Sequence, residues 1–220
     1  MPKEPLKESI YAVVLAAYVL AVIYVTRHLY SIMRSWGLPH NVAVYYNRKI
    51  IHVAAGGVVA VLTPALFTSP LIPSIAAFAM AALLYAARRI RLMEWFQTPD
   101  NMYEVNFNVA WGVSLLALWI LLGDPWLAVL PALFISLGDA ITGAVRNMLF
   151  ARRTKHIAGN IAMALVVVPM GYAAAGDIGA IIGLAASLAE RLELGPIDDN
   201  IIVALVASAG LLASRWLGLI

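Results

Sequence analysis

The sequence predicts an all-α integral membrane protein of about eight transmembrane helices, with both termini on the outer side. Three observations predict it. Of 220 residues, 63% are apolar and 12% are charged, against ~45–50% and ~25% in an ordinary soluble domain, and the mean hydropathy is +0.86. The apolar residues fall into runs near the ~20 residues that span a bilayer. The basic residues fall into alternate connections between those runs. A disordered chain is excluded, because disorder goes with low hydrophobicity and high charge. The chain has no Cys, which excludes a disulfide framework and Cys-ligated zinc or iron–sulfur centres.

The first run, Ile10–Tyr30, is too long for a cleaved signal peptide, and no small-residue cleavage site separates it from Arg27. Ile50–Thr68 and Leu71–Ala87 follow, joined at Ser69-Pro70. Val105–Leu122 and Trp126–Val145 are joined at Gly123-Asp124-Pro125. Ile157–Ala175 and Ile178–Glu190, the latter the shortest run, are joined at Gly176-Asp177, and Ile201–Leu217 completes the set. These runs leave no room for a soluble domain, so residues 1–220 read as a single polytopic membrane domain. The three joining turns carry no Lys or Arg. The other connections hold Arg27, Arg34, Arg48, Lys49, Arg88, Arg89, Arg91, Arg146, Arg152, Arg153, Lys155 and Arg191, which is 12 of the 15 basic residues. The positive-inside rule places them in the cytoplasm, and an even helix count returns the C-terminus to the outside. Glu94, Asp100, Glu104, Asp139, Glu190, Glu193, Asp198 and Asp199 gather on the same side. A face rich in both signs opposite a nearly bare one suits a site on the cytoplasmic face. A pore would place polar groups through the whole depth.

Five constellations lie on that face. In Ser136-Leu-Gly-Asp139-Ala-Ile-Thr142-Gly-Ala-Val-Arg146-Asn147, the residues Asp139, Thr142, Gly143 and Arg146 share one helix face. An ionisable group within a span is costly and faces the bundle interior. The blander alternative is a structural Asp139–Arg146 pair. Arg152-Arg153-Thr154-Lys155, followed by Gly159-Asn160 and a helix start, forms an anion cradle, or else an orientation signal that binds lipid head groups. Asp198-Asp199-Asn200 opens the last run. One Asp suffices as a cap, whereas two carboxylates beside an amide suit Mg²⁺, and Asp139 at the same depth can share it. Arg48, Lys49 and His52 open the second run ahead of Gly56-Gly57, where a neighbouring helix can approach closely. Glu104, Asn108 and Trp111 share one face of the fourth run, as interhelical glue or as the lining of a substrate slot, and Asn106 falls off that face. No standard phosphate loop, nucleophile elbow or metalloprotease motif occurs. No basic aromatic surface is present for nucleic acid.

Arg48-Lys49-Ile-Ile-His52 with Gly56 resembles the Arg-Lys-x-x-His motif of the dolichol kinase and phytol kinase group, which is related to phosphatidate cytidylyltransferases. Gly138-Asp139 followed by a basic stretch to Lys155 is similar to that family's Gly-Asp … Lys-Ser segment, and Asp198-Asp199-Asn200 to its Asp-Asp-Asn element. The sequence from Thr142 through Arg146-Asn147 and Arg152-Arg153-Thr-Lys155 to Gly159-Asn160 looks like the archaeal-type branch of polyprenol kinases. His156 departs from the usual Ser, and Asn160 from the Glu-Gly-Ser of the phytol kinase type. The resemblance implies a CTP-dependent polyprenol kinase that phosphorylates an isoprenoid alcohol and releases CDP. It implies Mg²⁺ as cofactor, held by Asp139 and Asp199, with Asp198 sharing the metal or acting as base. Thr142, Arg146, Asn147, Arg152, Arg153, Lys155 and Asn160 would bind nucleotide and phosphate, and Lys49, His52, Glu104 and Asn108 would face the acceptor. The partners implied are the isoprenoid alcohol and the bilayer; the Gly-rich faces permit a homodimer without requiring one. The alternatives are a cytidylyltransferase that forms a CDP-lipid and pyrophosphate, or a membrane transporter or scaffold without catalysis. No inverted repeat supports a transporter.

Overall fold

The computed structural model describes residues 1–152, 154–192 and 197–220. Among them, seven helices are long and apolar enough to cross a membrane: α1 (Pro5–Ser35), α2 (His40–Leu66), α3 (Leu71–Ile90), α4 (Tyr103–Leu122), α5 (Pro125–Phe150), α6 (Ile157–Ala189) and α7 (Asp199–Trp216).

The seventh expected run, Ile178–Glu190, forms the second arm of α6. Ala175 (φ −144°, ψ 28°) and Gly176 (φ 59°, ψ −146°) leave helical geometry between the two arms. A Cβ on Gly171 would fall 2.1 Å from the Gly179 carbonyl oxygen, and one on Gly183 would fall 2.5 Å from that of Val167. The arms therefore run antiparallel, backbone against backbone, and both ends of α6 return to the same end of the bundle. The return arm, 177–189, is about 20 Å long at the helical rise, short of the ~30 Å hydrocarbon core. The fold-back at Ala175 and Gly176 thus falls at the Gly176-Asp177 turn expected between the sixth and seventh runs.

Local chemistry fixes the other ends. Gly123 (φ 73°) closes α4 in the left-handed region. Asp124 then caps α5: its Oδ1 accepts from the backbone N–H of Trp126 at 2.7 Å and of Leu127 at 3.2 Å, with Pro125 at the first helical position. Asp198 caps α7 in the same way, accepting from Ile201 N–H at 3.3 Å.

The first half of α5 is the axle of the bundle. Leu115 and Leu118 of α4, Met163 and Val167 of α6, and Val203, Ala207 and Leu211 of α7 pack around it. In its most apolar stretch 78% of residues are buried, against 11% for α1. α1 therefore lies at the edge, and Val13, Val14, Tyr24 and Val25 are exposed on it, as a face in contact with lipid requires.

Two spans widen locally into π-helix, at His52–Gly57 in α2 and Phe134–Gly138 in α5. They pack on each other. A Cβ on Gly56 would meet Phe107 at 2.5 Å and Ser136 Oγ at 2.9 Å, and one on Gly57 would meet Leu137 at 3.2 Å. His52 begins the first segment and Asp139 follows the second, so the wide turns set these two side chains against each other.

Candidate active site

One end of the bundle gathers the polar residues. Asp139 accepts from Lys49 Nζ at 2.5 Å through Oδ2, and His52 Nδ1 lies 3.2 Å from the same oxygen. All three side chains are buried. The stem of Lys49 lies on Gly143, where a Cβ would be 2.2 Å from Lys49 Cε. The absent side chain is what lets the lysine reach across from α2. The ring of His52 stacks on Phe107, with centroids 4.2 Å apart.

Glu190, just beyond α6, makes a second buried centre. Arg146 Nη1 and Nη2 donate to its two oxygens at 2.7 and 2.8 Å. Nη2 also reaches Asn160 Oδ1 at 2.9 Å and Nε the His156 carbonyl at 3.0 Å. Gly159 leaves room for the guanidinium: a Cβ there would be 2.3 Å from Nε. Asn160 Nδ2 donates to the Ser187 carbonyl, so one amide ties the two arms of α6. Burial pushes the Glu190 carboxyl above its usual range, opposed by the hydrogen bonds from Arg146.

Lys155 joins the Glu190 centre to α7. Its ammonium donates to the Glu190 carbonyl at 2.8 Å, to Glu190 Oε1 at 3.2 Å and to Asp199 Oδ2 at 2.9 Å. Asp139, Glu190 and Asp199 each present an oxygen within 4.8 Å of the others. Three carboxylates thus face Lys49, Arg146 and Lys155. An all-oxygen donor set of this kind fits a hard divalent cation.

Asp198 stands apart from this triad. Its Oδ1 caps α7 and its Oδ2 accepts from Asn200 Nδ2 at 3.3 Å. Burial first, then the neighbouring Asp199, push its carboxyl up to about 7, against a hydrogen bond from Asn106.

The residues expected to bind phosphate divide. Lys155 faces the carboxylates. Arg146 and Asn160 are committed to Glu190 and to each other. Thr142 Oγ1 donates to the carbonyls of Gly138 at 2.9 Å and Gly159 at 3.2 Å, and Asn147 Nδ2 to that of Val42 at 3.3 Å; both tie helices together. Arg152 is exposed outside the cluster, and Arg153 lies outside the described residues. Instead of pairing with Asp139, Arg146 turns to α6 while Asp139 turns to α2. Glu190 is the residue the sequence reading passed over. Its one signal was an acid closing an apolar run of small residues.

Beside the residues expected to face an acceptor, an apolar groove runs between α1, α2, α3 and α4, enclosing about 940 Å³ of empty space with its open side included. Ala16 and Val19 of α1, Met80 and Leu84 of α3, and Phe107 and Trp111 of α4 line it, and Arg48, His52, Glu104 and Asn108 supply its polar groups. Glu104 accepts from Gln97 Nε2 at 2.8 Å and pairs with Arg88 at 3.4 Å. The Asn108 amide donates to the Glu104 carbonyl at 2.8 Å. A smaller polar pocket of about 240 Å³ adjoins the charged cluster, lined by Tyr45, Arg48, Lys49, His52, Tyr103, Asp199 and Asn200. Arg48 and His52 line both spaces.

No family model, curated protein or solved structure matches the chain.

Proposed function

We propose that this protein is a CTP-dependent lipid kinase, moving the terminal phosphoryl group of CTP to the hydroxyl of a polyprenol- or dolichol-type alcohol and releasing CDP. The observation that carries the reading is the join between the groove and the charged cluster at Arg48 and His52. The sequence resemblance supports CTP and the isoprenoid. The excess of basic residues at this end of the bundle supports a cytoplasmic catalytic face.

Phosphoryl transfer is mainly positioning and charge neutralisation. A tail in the groove brings its hydroxyl to His52. The ring, held by Phe107 and backed by Asp139, takes the hydroxyl proton. The alcohol oxygen forms its bond to the γ-phosphorus, and the bond from that phosphorus to the β–γ bridging oxygen breaks, leaving CDP. Lys49 and Lys155 turn from the carboxylates to the phosphate oxygens. Asp139, Glu190 and Asp199 would hold Mg²⁺, which supplies charge neutralisation for the triphosphate.

The test uses purified protein, γ-labelled CTP or ATP, Mg²⁺ and a panel of prenols in detergent. The expected result is label in the lipid from CTP, lost on chelation. Asp139→Asn abolishes transfer while the protein stays folded. Pyrophosphate released on adding a phospholipid acid would move the chain to the cytidylyltransferases. No turnover with any donor would overturn the kinase reading.

A further inference from the structure

Arg48 is a buried cation to which the mechanism above gives no work. It is 6% exposed, and its Nη1 has no hydrogen-bond partner among the described residues. Its guanidinium lies over the ring of Tyr103, 4.2 Å from the centroid, and 5.3 Å from that of Tyr45. Stacking holds the plane of the fork but leaves in-plane N–H groups to be satisfied. Asn200, at 2% exposure, likewise keeps its side-chain oxygen without a partner among the described residues. Both residues line the polar pocket. A buried donor without an acceptor is costly, and two unmet polar groups lining one small pocket mark a place for a ligand. Lys49, one residue along, is already held by Asp139; Arg48 has no such carboxylate bond among the described residues.

The same arginine lines the apolar groove. A molecule that satisfies both spaces has a single apolar tail and an anionic head placed where the tail ends. We propose that the groove and the polar pocket together form a binding site for a single-chain lipid monophosphate, with Arg48 as the residue that holds its phosphate. The inference rests on the proposed kinase reading in naming that lipid as the product, and gives Arg48 a defined place in it. The phosphoryl group enters beside Lys49 and Lys155 and leaves on the alcohol oxygen against Arg48. The Asn200 oxygen accepts the proton of a monoprotonated phosphate. The fork matches phosphate oxygens bidentately, which a lysine at this position would not do.

The experiment measures binding to the full chain in detergent by native mass spectrometry, without nucleotide or metal. Geranylgeranyl monophosphate, geranylgeraniol and inorganic phosphate are the probes. The monophosphate is expected to bind at least about tenfold tighter than the alcohol, the effect of one charge-assisted hydrogen bond. Inorganic phosphate alone should bind weakly. Arg48→Gln should remove the preference, weakening the monophosphate far more than the alcohol. Ala16→Trp, which fills the groove from α1, should weaken both lipids. Equal binding of alcohol and monophosphate by the unaltered protein would overturn the proposal, whatever the variants do. So would a folded Arg48→Gln protein that keeps the preference, or inorganic phosphate competing as well as the lipid. Labelled-CTP turnover is read separately. Transfer without the monophosphate preference sinks this inference alone. The preference without transfer from any donor sinks the kinase reading alone.

Discussion

Glu190→Gln strands a cation that is 1% exposed. In the native protein Arg146 makes four hydrogen bonds to described residues, two of them to the Glu190 carboxylate. The substitution keeps the shape of the side chain, removes the charge and replaces one acceptor oxygen with an amide that must point its own donors at the guanidinium. Breaking a buried pair by neutralising one partner costs roughly 3–5 kcal/mol, because the remaining charge is left without compensation. For a chain of this length each kcal/mol shifts the melting temperature by roughly 2–4 °C, so the drop should be about 6–20 °C. Intrinsic fluorescence during thermal unfolding in one detergent is the assay. Arg146→Lys should also destabilise, since a point charge cannot reproduce the two-pronged contact. The double variant Arg146→Gln with Glu190→Gln should melt above the sum of the two single losses, as residues in one network do. A Glu190→Gln protein melting within about 2 °C of the original would refute the reasoning, since a fork on a buried carboxylate cannot be that cheap to dismantle.

Three other outcomes follow from the same structure. Gly143→Ala places a Cβ 2.2 Å from Lys49 Cε and pushes the ammonium off Asp139. Labelled-phosphate transfer should fall by at least about tenfold, and Gly143→Leu should do worse. Gly176→Ala puts a side chain at φ 59°, ψ −146°, a region nearly closed to L residues, at a cost of roughly 1–3 kcal/mol; the melting temperature should fall by several degrees with catalysis intact at low temperature. Asp198 titrates near 7 in the folded protein, above its unfolded value of 3.8, so the native state holds this proton more tightly. Its contribution to stability is complete below 3.8 and is lost as pH rises through about 7. Asp198→Asn keeps an oxygen for the cap and cannot ionise. The melting temperature of the variant minus that of the original protein should therefore be more positive at pH 8 than at pH 5, and a difference that shrinks would contradict the assignment.

The membrane character of the chain and the polar end of its bundle were legible because they depend on local composition and charge placement. The helix-face rule put Asp139, Thr142, Gly143 and Arg146 together, and all four are buried. What that face touches was not legible. Lys49 and Asp139 are 90 residues apart, and Arg146 and Glu190 are 44 apart; neither spacing carries a periodic signal. The π turns were invisible for the same reason, since a wide turn is stabilised by what packs against it. Here that is glycine on one helix and Ser136 and Leu137 on the other. Glu190 was missed because a lone acid at a helix end has an ordinary reading as a solvated terminus. Only the fold-back of α6 at Ala175 and Gly176 brings it beneath Arg146. That fold-back also sorts the cations. Arg146 sits where the two ends of α6 meet, and its bonds to the His156 carbonyl, Asn160 and Glu190 join them. Lys155 bridges Glu190 and Asp199, and in the proposed reaction it turns from them to the phosphate. Arg48, over the rings of Tyr103 and Tyr45 and without a carboxylate bond among the described residues, lines both the groove and the pocket. A basic residue's distance from its nearest buried carboxylate, more than its position in a motif, decides whether it braces the site or serves the ligand.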